Sequence, residues 1–155
     1  MSKSKARVIR ALQDAGIETE IVELKEAKTA QMAADGVGCE VDQIAKSIIF
    51  RGEESGEAIL FLTAGGKQVD AAKASALAGE ALGKADATLI RAQTGFAIGG
   101  VAPVGHVNPI RAFLDPRLLD FDVIWAAAGT PHHVFALKST ALQPLTGAQV
   151  SDFTA

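Results

Sequence analysis

The sequence predicts an α+β domain built on a mixed sheet, and three observations carry that reading. Two apolar runs, Ile48-Ile49-Phe50 and Ala58 to Thr63, flank the polar stretch Gly52 to Glu57, the pattern of an antiparallel hairpin. A second pair, Asp122 to Ala127 and His133 to Leu137, flanks Gly129-Thr130-Pro131 in the same way. Helical segments stand between and around these pairs, whereas a doubly wound parallel sheet would alternate single strands with single helices.

Taken in order, residues 3 to 15 read as a helix with Val8, Ala11, Leu12 and Ala15 on one face. Lys3, Arg7, Arg10 and Asp14 mark the other face, and Gly16 is a suitable stop. Glu18 to Leu24 alternates and reads as a strand. Thr29 caps a short helix carrying Met32 and Ala33, which Gly36 and Gly38 end. Lys46 is placed at the entry of the first apolar strand. Gly65-Gly66 breaks the chain after the second. Asp70 to Leu82 is Ala-rich and helical, and Asp86 to Arg91 makes another short helix before Gly95. Pro116 opens a turn or short helix, and Ser139 caps a last helix that runs to about Leu145 and ends at Gly147.

Composition narrows the function classes. A chain of 155 residues with 48% hydrophobic and 21% charged residues is one domain able to bury a core. The net charge of -3 argues against a wide electrostatic footprint for nucleic acid, so any RNA contact is local. The single Cys39 excludes an intramolecular disulfide and a multi-cysteine metal site. No run reaches the length of a membrane span, and the N-terminus leads into an amphipathic pattern with no signal-peptide core, so the cytoplasm is the expected location.

Three stretches hold the candidate chemistry. Lys46 can snorkel to solvent as a strand-end lysine, or point into a cleft and hold an anion. Gly95 to Gly105 has four glycines and a proline in eleven residues. It matches neither a phosphate loop nor a dinucleotide fingerprint, and is either a connecting loop or a backbone cradle lining a pocket. His132 and His133 are adjacent, so on a strand they face opposite ways and cannot chelate one ion together. With His106 they supply at most two ligands, and no spacing supports a zinc site. No Gly-x-Ser-x-Gly elbow exists, and Cys39 reads as a core or turn residue. What is left is a site without a conventional nucleophile.

Lys46 before an apolar strand, the Gly99-x-Val101-x-Pro103-x-Gly105 loop and Gly129-Thr130-Pro131-His132-His133 together resemble the YbaK/prolyl-tRNA-synthetase-associated family. The resemblance runs from about Val8 to Phe153 and implies one freestanding editing domain over residues 1–155. It implies a mixed, strongly curved sheet surrounded by helices, and trans-editing hydrolysis of mischarged aminoacyl-tRNA without metal or cofactor. By the same resemblance Lys46 holds the phosphate or ribose of the 3′-terminal adenosine. The Gly99 to Gly105 loop, with Gly99, Gly100, Val101, Ala102, Pro103 and Gly105, walls the aminoacyl pocket. Gly129, Thr130 and one of His132 and His133 close its other side. Ser47 stands where members favouring alanine have Asn, which leaves Ala, Cys, Ser, Thr and 2-aminobutyrate open as the released amino acid. The partners implied are the acceptor 3′ end of a mischarged tRNA, with prolyl-tRNA synthetase or an elongation factor beside it, and neither DNA nor a membrane. A noncatalytic tRNA- or synthetase-binding domain of the same fold is the alternative.

The chemistry suits such a site. An aminoacyl ester is already activated, so positioning and oxyanion stabilisation suffice, and one preorganised amide contributes roughly 3 to 4 kcal/mol. A synthetase pocket rejects a smaller amino acid by only about 1 to 3 kcal/mol per missing methylene, which makes a second sieve useful.

Overall fold

The computed structural model describes residues 3–155. Helix α1 (Lys3–Asp14) buries Val8 and Leu12, one turn apart on the apolar stripe, and Gly16 (φ 72°) turns the chain out of it. Strand β1 (Ile21–Glu23) follows, then α2 (Ala30–Val37), α3 (Ala71–Ala78) and α4 (Ala87–Thr94) farther along the chain. The side chains of Thr29, Asp70 and Asp86 each accept the backbone N–H three residues on, at 3.1, 3.0 and 2.8 Å. Each cap contributes about 1 kcal/mol.

The sheet is organised on β2 (Ile44–Gly52), which pairs antiparallel with β3 (Ala58–Ala64) from Ala45 to Arg51, setting Lys46 opposite Thr63 and Ser47 opposite Leu62. Every residue of β3 is buried, as expected of a central strand covered on both faces. The other edge of β2 is shared. Strand β6 (Val123–Ala127) lies parallel to it only at Ile44 and Ala45, and β4 (Leu82–Lys84) takes it from Phe50 to Gly52. Lys46 to Ile49 therefore face no strand on that edge. Strand β7 (His133–Lys138) pairs antiparallel with β6 and with β1, while β5 (Arg111–Leu114) and β8 (Gln149–Val150) run parallel on the far side of β3. The spatial order is β1-β7-β6-β2-β3-β5-β8. Helix α5 (Ser139–Thr146) lies between β7 and β8 in the chain.

Helices cover both faces. Val8, Leu12, Ile90 and Leu142 pack with Leu60, Leu62, Phe96 and Phe135 in the largest cluster. On the opposite face Phe61 stacks on Phe113 (centroids 5.1 Å apart) and meets Phe153 edge-on at 5.0 Å, under Ala74 and Ala78 of α3. Each fully buried Phe contributes about 1.5–3 kcal/mol, and each ring pair adds roughly 0.5–1.5.

Four local expectations change. Lys46 is the third residue of β2, inside the strand and not at its entry, because Ile44 and Ala45 already pair with β6. Gly36 lies within α2, which Gly38 (φ 77°) alone ends. The Ala-rich helix stops at Ala78, where Gly79 takes φ 79°, so Leu82 opens β4. Ser139 does not cap α5; it is the first helical residue, and its hydroxyl donates to the Phe121 carbonyl.

Candidate functional site

A cavity of about 320 Å³ opens where β6 parts from β2. Its floor is the unpartnered edge of β2 with Lys46, Ser47 and Ile48, and its rim includes Lys28, Thr29 and Ala33 around the start of α2. Trp125 and Ala126 of β6 bound a second side. Gly99, Val101, Thr130 and His133 close the third. A strand edge bared by diverging neighbours offers main-chain donors and acceptors to a ligand, in a pocket of the size that small-molecule sites have.

The Lys46 ammonium donates to the Lys67 carbonyl at 2.6 Å and the Gly65 carbonyl at 3.2 Å. Burial pulls its pKa down, and the nearby Asp42 charge opposes that shift. An ammonium has three N–H donors, so one is left for a ligand. The loop that supplies the two carbonyls is itself clamped. Asp42 Oδ1 accepts the Gly66 N–H at 2.8 Å, and Oδ2 accepts Arg117 Nε at 3.0 Å. Burial pushes the Asp42 carboxyl up, but the bonds from Arg117 and Gly66 and the charges of Arg117 and Lys67 hold it below the usual carboxylate range. Space requires glycine at 65, where a Cβ would collide with the Val41 carbonyl; a Cβ on Gly66 would sit 2.6 Å from Asp42 Oδ1 and displace that carboxylate.

Ser47 points to the opposite face of β2. Its Oγ is buried and has no hydrogen-bond partner. An unpaired buried hydroxyl costs about 1–3 kcal/mol.

The third wall is set by the glycine loop and the turn after β6. A Cβ on Gly100 would lie 2.8 Å from the Thr130 carbonyl carbon and 2.9 Å from its Cα, so only glycine lets the loop close on the turn. The Thr130 hydroxyl lies 2.6 Å from His133 Nδ1 and accepts the His132 N–H at 3.2 Å. His133 Nε2 lies 3.3 Å from a carboxylate oxygen of Glu23, its direct cross-strand partner.

Of the residues expected from sequence, the cavity gathers Lys46, Ser47, Gly99, Val101, Thr130 and His133. The others are placed elsewhere, for physical reasons. The Gly100 N–H is committed to the Ala97 carbonyl (3.0 Å), so Gly100 shapes the wall without offering its amide to an oxyanion. Ala102 is wholly buried in the core. Pro103 and Gly105 line a separate depression beside His106 and α1, so they do not wall this cavity. Gly105 (φ 82°) and Gly129 (φ 94°) are seats for α1: their Cβ positions lie 3.1 Å from the Arg7 carbonyl and 2.8 Å from that of Ser4. Arg7 completes the seat, donating to the Gly95 and Gly105 carbonyls and lying over the Phe96 ring. The His132 side chain is exposed, and its backbone carbonyl accepts the Leu24 N–H. Sequence reasoning missed Glu23, Asp42 and Trp125. Glu23 stood within an expected strand, but only its register against β7 brings it to His133. Among the described residues no group of three or more His, Cys, Asp or Glu side chains converges to hold a metal ion.

The aminoacyl-tRNA editing domain family matches residues 25–145. The uncharacterized protein YwhH of Bacillus subtilis is 30% identical over 138 residues, covering 88% of this chain and 82% of that protein. A solved structure described as "a putative trans-editing enzyme for prolyl tRNA synthetase" superposes with a TM-score of 0.92 at 46% identity, covering 100% of this chain and 99% of that one. The hypothetical protein APE2540, at 23% identity and a TM-score of 0.86 over 96% of this chain and 99% of its own, shares the fold. With the match spanning most of the chain and the cleft at its centre, the protein belongs to the aminoacyl-tRNA editing domain family, the YbaK-like group.

Proposed function

We propose that the chain hydrolyses the ester of tRNA(Pro) carrying a small wrong amino acid, and that prolyl-tRNA synthetase is the enzyme whose errors it clears. The observation that carries this reading is the cleft at the bare edge of β2, with a cation on one wall and apolar side chains on the other. In this reading the free N–H of Lys46 binds the phosphate or ribose of the terminal adenosine and fixes the ester over the strand edge. An N–H on that edge stabilises the oxyanion of the tetrahedral intermediate. Water attacks the carbonyl, the bond to the ribose oxygen breaks, and free amino acid leaves.

Selection is by size. Ala45, Val101, Trp125 and Ala126 bound the cavity with apolar surface, and Gly99 brings main chain against it. On this reading alanyl, seryl, cysteinyl, threonyl and 2-aminobutyryl groups are accepted, and the rigid prolyl ring is the group that the wall excludes. The unpartnered Ser47 hydroxyl favours a small polar side chain over a small apolar one. The test is ester loss from a panel of tRNA(Pro) species carrying these amino acids. Release of small residues with prolyl spared supports the reading; RNA binding with no turnover on any of them replaces it with a noncatalytic tRNA-binding role.

A further inference from the structure

We propose that Glu23, His133 and Thr130 form a proton relay in which the Thr130 hydroxyl takes the proton of the attacking water. The inference deepens the hydrolase reading above and rests on it. Its ground is a line of close contacts reaching from the exposed end of β1 into the cleft: the Glu23 carboxylate stands 3.3 Å from His133 Nε2 as its ion-pair neighbour, and His133 Nδ1 is hydrogen-bonded to Thr130 Oγ1 at 2.6 Å.

The partners fix the direction of the chain. The neighbouring Glu23 carboxylate can only accept, so it favours the tautomer that keeps the proton on His133 Nε2. In the neutral ring Nδ1 is then an acceptor, and the Thr130 hydroxyl donates to it. That hydroxyl already accepts the His132 N–H at 3.2 Å. Of its two lone pairs one remains, and Thr130 and His133 both line the cavity. The free lone pair is the position for a water O–H.

The step balances. The water proton moves to Thr130 Oγ as the Thr130 proton moves to His133 Nδ1, so threonine ends unchanged and histidine becomes an imidazolium beside the Glu23 carboxylate. The hydroxide formed bonds to the ester carbonyl. When the tetrahedral intermediate collapses, the bond to the ribose oxygen breaks and that oxygen takes the proton back along the same path. No metal or redox partner is involved in the step. Thr130 is the catalytic residue, while His133 and Glu23 act through it as positioning residues. Register is what creates the triad: Glu23 and His133 are direct partners in the β1–β7 ladder, and Gly100 holds the Thr130 turn in place from behind.

The test compares Thr130→Val, which keeps the shape and loses the hydroxyl, with Thr130→Ser and Glu23→Gln. Thermal melts confirm folding of each. Thr130→Val is expected to lower kcat on a released ester about a hundredfold with KM within about twofold, the size of a lost general base. Thr130→Ser should recover most of that loss, and Glu23→Gln should lower kcat about tenfold. Substrate charged on the 3′-oxygen of a tRNA ending in 2′-deoxyadenosine should still be hydrolysed, and still depend on Thr130. A Thr130→Val variant within threefold of wild type, a Thr130→Ser variant no better than Thr130→Val, or a wild-type rate that vanishes on the deoxy substrate overturns the relay. Nitrogen-15 NMR of the histidines in the free protein, in mildly alkaline buffer, judges the chain without any tRNA. The Nε2–H tautomer for His133, altered in Thr130→Val, supports it, and an Nδ1–H tautomer overturns it. A wild-type protein that hydrolyses no ester overturns the editing reading and Thr130's part in it, while the tautomer decides separately whether the hydrogen-bonded chain runs as drawn.

Discussion

Replacing Gly100 by Ala adds one methyl group at a point where two segments of the site meet backbone to backbone. The new Cβ would lie 2.8 Å from the Thr130 carbonyl carbon, 2.9 Å from its Cα and 3.1 Å from Pro131 N, where ordinary contact begins at 3.4 Å. Neither side is a flexible side chain, so the turn must retreat by about 0.6 Å. Gly100 has no positive φ, which removes backbone strain from the comparison. Overpacking of this kind costs roughly 1–3 kcal/mol, a fall in Tm of about 2–4 °C for each kcal/mol in a chain of this size. The effect on rate follows from what rides on the turn. Thr130 Oγ1 is 2.6 Å from His133 Nδ1, and a shift of this size stretches that bond toward the limit of a good one. Misplacement by 1 Å can cost a hundredfold in rate, so a loss of roughly tenfold in kcat is expected here. Gly99→Ala is the contrast, since its φ of 88° strains the backbone while its Cβ meets nothing within 4 Å. Single-turnover deacylation and thermal melts of both variants make the comparison. A Gly100→Ala protein with wild-type kcat and unchanged Tm would refute the idea that this contact sets the wall.

Three further outcomes are expected. Asp42→Asn removes a carboxylate whose folded pKa is depressed; the stabilisation it gives is complete above its unfolded value, near 3.9, and is lost as pH falls through the folded value, so the variant's urea stability should drop less than the wild type's between about pH 6 and pH 3. Ser47→Ala removes a buried hydroxyl without a partner, so Tm should hold or rise while the seryl-to-alanyl ratio of kcat/KM falls; a lower Tm with an unchanged ratio would remove Ser47 from the sieve. His133→Ala should lower kcat far more than His132→Ala, because only the His133 side chain lines the cavity; equal losses would contradict the placement.

Much of this could be read from residue order, and the rest depends on register. The β2–β3 and β6–β7 hairpins were legible because each is a pair of apolar runs around a Gly-containing turn, and the cap at Thr29 follows from side-chain chemistry within three residues; Asp70 and Asp86 were expected inside their helices and instead cap them. Strands β4, β5 and β8, at two to four residues, are too short for a period to show, and they exist because β2 and β3 offer them an edge. The glycine loop misled in a specific way. Glycines at 99, 100 and 105 look alike in sequence, yet one lines the cavity, one touches the Thr130 turn and one seats α1. Nothing local distinguishes them, because the neighbour that forbids a Cβ is thirty or nearly a hundred residues away. Glu23 and Asp42 were hidden for the same reason, as their partners are set by strand pairing and by a loop after β3.

If the bare edge of β2, with Lys46 beside it, is where an aminoacyl ester is held and cleaved, release depends on Lys46. The most direct test is single-turnover release of a small amino acid from mischarged tRNA(Pro) by the wild type and by Lys46→Ala, with melting curves alongside. Lys46→Ala should lose nearly all release while Tm changes little, and Lys46→Arg should restore only part, since a planar, longer guanidinium does not replace an ammonium held by the Gly65 and Lys67 carbonyls. Release by Lys46→Ala at the wild-type rate would contradict that dependence.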